Sequence, residues 1–296
     1  MNHWKAKILL LLGTSIWGAT FIFTKIGIDH CSPTLYIILR FLIAVLLTYI
    51  FFAKHLHKIN KQTIKQGTLL GIFFSCGFLL QTFGLKYTSV NNSAFITELT
   101  VVITPFVFWF ISRQKIKTIS KIAIFLGFLG VIIMTNPDIN NLNTGDVLTL
   151  FSTVFWALYI IYIDIFTRGT KEIALNVQLL AMQFVSGLPI LILYFIFFEK
   201  NIVYFNINTE LIVSVLFNAI LASFLVSLIQ ISVQKYTNPI NAALIFALEP
   251  VFASIFSFFM LGEVLSFQGY IGALVMLLAV FLVDIYNIFC SRVKRT

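Results

Sequence analysis

Ten apolar runs follow one another along this chain, at 8–28, 33–53, 66–85, 92–112, 119–135, 146–166, 174–198, 211–233, 241–261 and 267–289. Each is long enough, or for 119–135 nearly so, to cross about 30 Å of hydrocarbon as a helix. Lipid offers the backbone no hydrogen-bond partner, so each run must satisfy its N–H and C=O groups within itself as a helix. With 59% of its 296 residues hydrophobic and only 10% charged, the chain is too apolar to cover itself with water-facing side chains. Bilayer is the expected solvent and the fold class is all-α integral membrane. Lys5 and Lys7 ahead of the first run resemble the start of a signal peptide. That run is long, however, holds Trp17, Thr20 and Lys25, and lacks a small-x-small cleavage site, so an uncleaved helix is expected.

The polar connections fix an orientation. One side collects Lys5, Lys7, Lys54, Lys58, Lys61, Lys65, Arg113, Lys115, Lys117, Lys121, Arg168, Lys171, Lys235, Arg292, Lys294 and Arg295, and the other only Lys25, Lys86 and Lys200. Positive loops stay cytoplasmic, which predicts both termini in the cytoplasm of a bacterial cell and the chain in its inner membrane. The net charge of +9 is explained by that bias, so nucleic acid is not an expected partner. Cys31, Cys76 and Cys290 have neither metal-ligand spacing nor the pattern of a disulfide framework. The connections are short, the longest being the Asn-rich stretch 136–145, and none is large enough for a soluble catalytic domain.

An internal duplication organises the chain further. KYTSVNNSAFITELTVVITP, from Lys86 to Pro105, returns as KYTNPINAALIFALEPVFAS, from Lys235 to Ser254, with eight identical positions at a constant offset of 149. Trp17 similarly aligns with Trp156, Lys25 with Asp164, and Arg40-Phe41 with Gln183-Phe184. The repeats are expected at 8–135 and 146–289. Five spans per repeat is an odd number, so the second copy enters the membrane from the opposite side. Such inverted repeats enclose a shared site near the bilayer midplane.

These residues resemble the drug/metabolite transporter superfamily, in particular proteins with two EamA-type repeats. The resemblance rests on WGATFIFTK (Trp17 to Lys25), LRFLIA (Leu39 to Ala44), GLKYTSVNNSAFIT followed by Pro105, and ALEPVFASIFSFFMLGE (Ala247 to Glu263). It covers nearly the whole chain. It implies ten transmembrane helices in two inverted five-helix repeats around a central cavity, in proteins that move amino acids, other metabolites or drugs. One departure is that Gly262-Glu263 of the second half faces Arg113-Gln114 in the first.

An ionisable group at mid-bilayer costs at least ~2.5–3.5 kcal/mol, so each such residue is a functional candidate. At ~1.5 Å per residue, Arg40 and Glu98 each lie ~10 Å below the external ends of their helices and are placed to pair. That pair would be either structural or a gate and carboxylate anchor. Glu249 lies ~12 Å in from the cytoplasmic end of the ninth helix. Its neighbour Pro250 removes a helical hydrogen bond and displaces the carbonyl of Phe246, leaving a polar notch beside a carboxylate; Pro105 should free that of Val101. Desolvation favours the neutral form of Glu249, which makes it a candidate for taking up a coupling proton. Trp17, Trp156 and Tyr159 are candidates to line the cavity, and Gln81, Asn92, Gln183 and Asn241 to hydrogen-bond a substrate; interhelical bonding is the plainer role for such polar groups. Lys25 joins the candidates through the resemblance, although it, Asp164, Glu263 and Asp284 lie near helix ends and can snorkel to the interface.

Gly67-x-x-x-Gly71 is expected to pack an internal neighbour, and His55-x-His57 lacks further ligands for a metal. No cofactor is implied, and no phosphate loop points to ATP. The leading expectation is a secondary transporter of a small organic metabolite, by alternating access in the lipid bilayer. A membrane-embedded enzyme or a non-transporting receptor is the alternative. The mix of Lys25, Arg40, Glu98 and Glu249 leans towards zwitterions or weak anions.

Overall fold

Asparagine and serine side chains set where many of the helices begin. Asn60 accepts from the Thr63 amide at 2.7 Å, Ser89 from Asn92 at 3.1 Å, Asn208 from Leu211 at 2.8 Å and Asn238 from Asn241 at 2.7 Å. Asn143 and Asp146 form a reciprocal capping box. Each pairing satisfies an amide that the first turn of a helix leaves unbonded. Ser89 and Asn238 stand 149 positions apart, so the duplication extends to its caps. At the other ends, Arg113 and Asn136 adopt the left-handed conformation that terminates a helix.

The computed structural model describes residues 3–57, 59–137, 142–170, 172–261 and 264–293. Its α-helices are α1 (His3–His30), α2 (Pro33–Phe52), α3 (Lys61–Tyr87), α4 (Val90–Glu98), α5 (Thr100–Ser112), α6 (Thr118–Thr135), α7 (Thr144–Thr167), α8 (Ile173–Tyr194), α9 (Thr209–Leu216), α10 (Ser227–Val233), α11 (Pro239–Phe246), α12 (Glu249–Leu261) and α13 (Phe267–Val293). Among the described residues, nine continuous helical stretches are long and apolar enough to cross a membrane, and a shorter apolar helix covers Phe267–Val283. The all-helical, multi-pass reading therefore holds. Gly262-Glu263, Lys58, Lys171, Lys294, Arg295 and part of the Asn-rich connection lie outside the described residues.

Two spans that read as continuous in the sequence are broken. The fourth divides into α4 and α5 at Leu99, whose amide bonds the Ile96 carbonyl at 3.1 Å instead of the residue one further back. The ninth divides into α11 and α12 at Ala247 and Leu248, and Leu248 bonds Ile245 in the same way at 3.1 Å. Leu99 and Leu248 are equivalent in the duplication, so both halves break at one position. The eighth span departs differently: between α9 and α10 the segment Phe217–Val226 is π-helical. Insertions of this kind loosen the backbone ladder and recur at functional sites. Nothing in the hydropathy pattern signals it.

Packing joins the halves in reciprocal pairs. α3 packs on α7 and α8, and in return the eighth span packs on α1 and α2; α1 meets α11 and α12 while α7 meets α4 and α5; α2 meets α8, and α6 meets α13. Exchanging the first and second halves turns this list into itself, as expected of a two-repeat architecture with a pseudo-twofold axis. Gly67 and Gly71 face Met182, Gln183 and Ser186 of α8, so that motif packs an internal neighbour. The ends of the bundle are tied by polar contacts: Ser32 bonds the Tyr204 carbonyl at 2.9 Å, and Glu199 accepts from the Thr34 amide at 3.1 Å. At the opposite, basic end, Gln178 donates to the His55 carbonyl at 2.9 Å. Outward-facing Phe51, Phe106, Phe110, Phe125 and Phe197 are exposed, as a lipid-facing surface requires.

Candidate substrate cavity

Where the two helix breaks face each other, a cavity of about 80 Å³ opens in the middle of the bundle. Water needs ~10–15 Å³ to enter such a space, so this one suits several waters or the polar part of a small metabolite. Its wall combines aromatic side chains, including Trp17, Phe74, Phe78, Trp156 and Phe246, with Arg40, Glu98 and Glu249. Glu98 is the last residue of α4 and Glu249 the first of α12, so the breaks deliver one carboxylate from each half. A smaller space along Thr20, Thr24, Arg40, Gln81, Thr82 and Leu85 adjoins it and extends towards the end opposite the basic one.

Arg40 does not pair with Glu98. Its Nε and Nη2 donate to Ser223 Oγ at 3.3 and 3.1 Å, and its guanidinium lies 4.4 Å from the centre of the Phe78 ring. The expectation failed because depth is a single coordinate: α2 packs on α8 and the π-helical segment, which brings Ser223 rather than α4 against the guanidinium. Among the described residues, Arg40 has no carboxylate within ion-pair distance, and neither Glu98 nor Glu249 has a cation or hydrogen-bond donor on its carboxylate. Arg40 and Glu98 are 1% and 4% exposed, so these charges cannot rely on bulk water. A buried charge without a partner is costly, and its persistence at a cavity wall points to a partner that arrives.

The remaining candidates divide. Gln81, Trp156 and Tyr159 border the cavity with Trp17, and Gln81 donates to Thr97 Oγ1 at 3.0 Å. The Trp17 indole reaches the Ala222 carbonyl of the π-helical segment at 3.4 Å, whereas Trp156 Nε1 has no acceptor among the described residues. Gln183 stands behind the wall and receives the Tyr159 hydroxyl at 2.8 Å. Asn92 and Asn241 occupy the first turns of α4 and α11, away from the cavity. Lys25 donates to the Leu85 carbonyl at 3.0 Å, and Asp164 pairs with Arg168 at 2.5 Å, four residues on. Ser223, Thr97 and Thr100 were not singled out in the sequence, where a hydroxyl in an apolar helix carries little signal.

Comparison with known proteins agrees with this architecture. The model of the EamA-like transporter family matches twice, over residues 4–136 and 143–284. An uncharacterized transporter of Archaeoglobus fulgidus is 34% identical, the match covering 95% of this chain and 86% of the relative. An uncharacterized transporter of Bacillus subtilis is 29% identical, with 95% and 93% covered. A Salmonella typhimurium protein named as a probable amino-acid metabolite efflux pump is 24% identical, with 99% and 97% covered. A solved structure superposes with a TM-score of 0.75 at 14% identity, covering 95% of this chain and 97% of the other, which shows a shared fold. Doubly matched along nearly its whole length, and built of apolar helices around a charged central cavity, the chain belongs to the EamA-like transporter family and is a multi-pass membrane transporter.

Proposed function

We propose that this transporter moves small zwitterionic metabolites with an apolar side chain, amino acids among them, by alternating access between repeats 8–135 and 146–289, with protons as the coupling ion. One observation supports this above the others: a single cavity holds a guanidinium lacking a carboxylate and two carboxylates lacking a cation. A zwitterion supplies both missing charges at once. Its carboxylate meets Arg40, which offers a planar donor pair, and its ammonium sits between Glu98 and Glu249. The aromatic wall receives the apolar remainder. The relative named for amino-acid metabolite efflux supports the same class.

The two carboxylates of that site supply the coupling. Two carboxylates in one water-poor cavity repel each other, and sharing a proton relieves the repulsion. An arriving ammonium takes over that role and releases the proton, so solute and proton occupy the site alternately. With both termini in the cytoplasm, as the basic residues predict, proton entry would drive solute efflux.

The test is counterflow in proteoliposomes loaded with unlabelled amino acid, against labelled leucine, phenylalanine, their decarboxylated amines and their deaminated acids. Uptake of the zwitterions, accelerated by an opposing proton gradient, is the expected result. Preference for the amines or the acids alone would overturn the zwitterion reading, and chemical conversion without flux would favour a membrane-embedded enzyme.

A further inference from the structure

The third and eighth spans are equivalent in the duplication and run between matching caps. Asn60 accepts from Thr63 at 2.7 Å and Asn208 from Leu211 at 2.8 Å, and the spans close at Thr88 and Thr237. Between those caps the third holds 27 residues, Lys61–Tyr87, and the eighth 28, Thr209–Tyr236. The offset is 148 at Asn60 and at Ser75, and 149 from Leu79 and Gln81 onward, so the extra residue falls between Ser223 and Leu228. A helix held at both ends absorbs one extra residue by bonding one position further back, which is the π pattern. Accordingly the third span is α-helical throughout, whereas Phe217–Val226 is π-helical.

The wider turn decides what faces α2. Asn218 donates to the Tyr36 hydroxyl at 2.6 Å, and Ser223 Oγ accepts from Arg40 Nη2 and Nε at 3.1 and 3.3 Å. Two residues five apart thus meet two residues four apart on α2. On an α-helix, positions five apart diverge by about 140° and could not both meet one neighbour; bonding from i to i+5 stacks them. The third span is an internal control. Ser75, at the position of Ser223, turns its hydroxyl back on the Gly71 carbonyl at 2.6 Å, the ordinary habit of serine in an α-helix. Gln183 Nε2, at the position of Arg40, has no partner among the described residues.

Ser223 also fixes how the guanidinium lies. It takes one N–H on Nε and one on Nη2, and the remaining donors of Arg40 have no acceptor among the described residues, on a side chain that borders the cavity. We propose that the extra residue of the eighth span sets solute specificity: it carries Ser223 to Arg40, and Ser223 is a positioning residue that holds the guanidinium with its free donors towards a solute carboxylate. This rests on the reading above, in which Arg40 meets that carboxylate. The third span has no such residue and the second half has an amide in place of the guanidinium, so the device belongs to one half. It gives a pseudo-symmetric cavity a direction, with the solute carboxylate towards α2.

Binding read by thermal shift in full-length protein tests this, with leucine and its decarboxylated amine as probes. Ser223→Ala should weaken leucine roughly two- to tenfold, the cost of ordering one long side chain on binding, and leave the amine unchanged. Ser223→Thr, which keeps the hydroxyl, should bind leucine as the parent does. Deleting Leu225, whose side chain is exposed, gives the span the length of the third and should weaken leucine as Ser223→Ala does. Unchanged leucine affinity in Ser223→Ala, equal weakening of leucine and amine, or full leucine affinity after the deletion would overturn the proposal. The register is read without solute. With the native cysteines replaced by serine, Arg40→Cys and Ser223→Cys should be joined by a short bifunctional thiol reagent in the full-length span and not after deletion of Leu225; joining in both would overturn it as well. Arg40→Met separates the failures. If it binds leucine normally, the carboxylate reading falls and the positioning role with it, whereas loss in Arg40→Met with none in Ser223→Ala refutes the proposal alone.

Discussion

Replacing Arg40 with methionine separates binding from stability. The guanidinium is 1% exposed, and burial of such an ion costs several kcal/mol after relaxation. Against this stand charged hydrogen bonds to Ser223, worth ~1.5–3 kcal/mol. Its contact with Phe78 adds ~2 kcal/mol in a desolvated setting. These terms nearly cancel, so Arg40→Met, which keeps the length and removes the charge, should leave the melting temperature in detergent unchanged or raised. The solute carboxylate, by contrast, loses its only cation. Removing one member of a buried charge pair costs ~2–5 kcal/mol, which at ~1.4 kcal/mol per decade weakens zwitterion binding roughly 30-fold to several thousand-fold. Thermal melting with and without leucine, followed by titration of leucine against its decarboxylated amine, reads both quantities. Equal weakening for the amine would show that Arg40 does not meet a carboxylate, and a large fall in melting temperature would make it a structural residue.

Further outcomes follow from other parts of the molecule. Glu249→Gln keeps shape and hydrogen bonding but cannot titrate, so accumulation against a proton gradient should be lost while solute-for-solute exchange persists; normal accumulation would move coupling elsewhere. Gly71→Val should lower the melting temperature by the equivalent of ~1–3 kcal/mol or more, because a β-carbon there meets the Gln183 carbonyl at 2.5 Å. An unchanged temperature would mean that α3 and α8 are less tightly packed than described. Burial, and secondarily Glu199, pushes the Cys31 thiol up to about 12. Thiolate is the reactive form, so maleimide labelling of Cys31 in folded protein should stay negligible from pH 7 to pH 9 and appear on unfolding; ready labelling would show that the connection opens.

Periodicity and repetition made much of this legible. The apolar runs located the helices, but the spans at 92–112 and 241–261 read as continuous, and the breaks at Leu99 and Leu248 were not anticipated although both residues are matched in the duplicated stretch. Glu98 and Glu249 stood out because a carboxylate in an apolar run is expensive. What the sequence did not reveal was azimuth: Arg40 and Glu98 share a depth but point to different neighbours, a fact set by which helices pack together. Asn92 and Asn241 lie off the cavity wall, in the first turns of α4 and α11, where the caps are the side chains of Ser89 and Asn238 and the two asparagines supply backbone amides to them. The π-helical segment was invisible because one extra residue per turn leaves hydropathy unchanged, and with it went Ser223 and the Ala222 carbonyl.

The reciprocal packing of the halves bears on how such a chain is made. During synthesis the first five spans enter the lipid before their main neighbours exist: α3 awaits α7 and α8, α1 awaits α12, and α6 awaits α13. Until then Arg40 and Glu98 must be tolerated without the walls that later enclose them, by the insertion machinery or by passing contacts among the early helices. Loss of α13 would therefore leave an exposed face on α6 near the middle of the chain, and quality-control proteases would meet the nascent first half and such a product as the same kind of substrate.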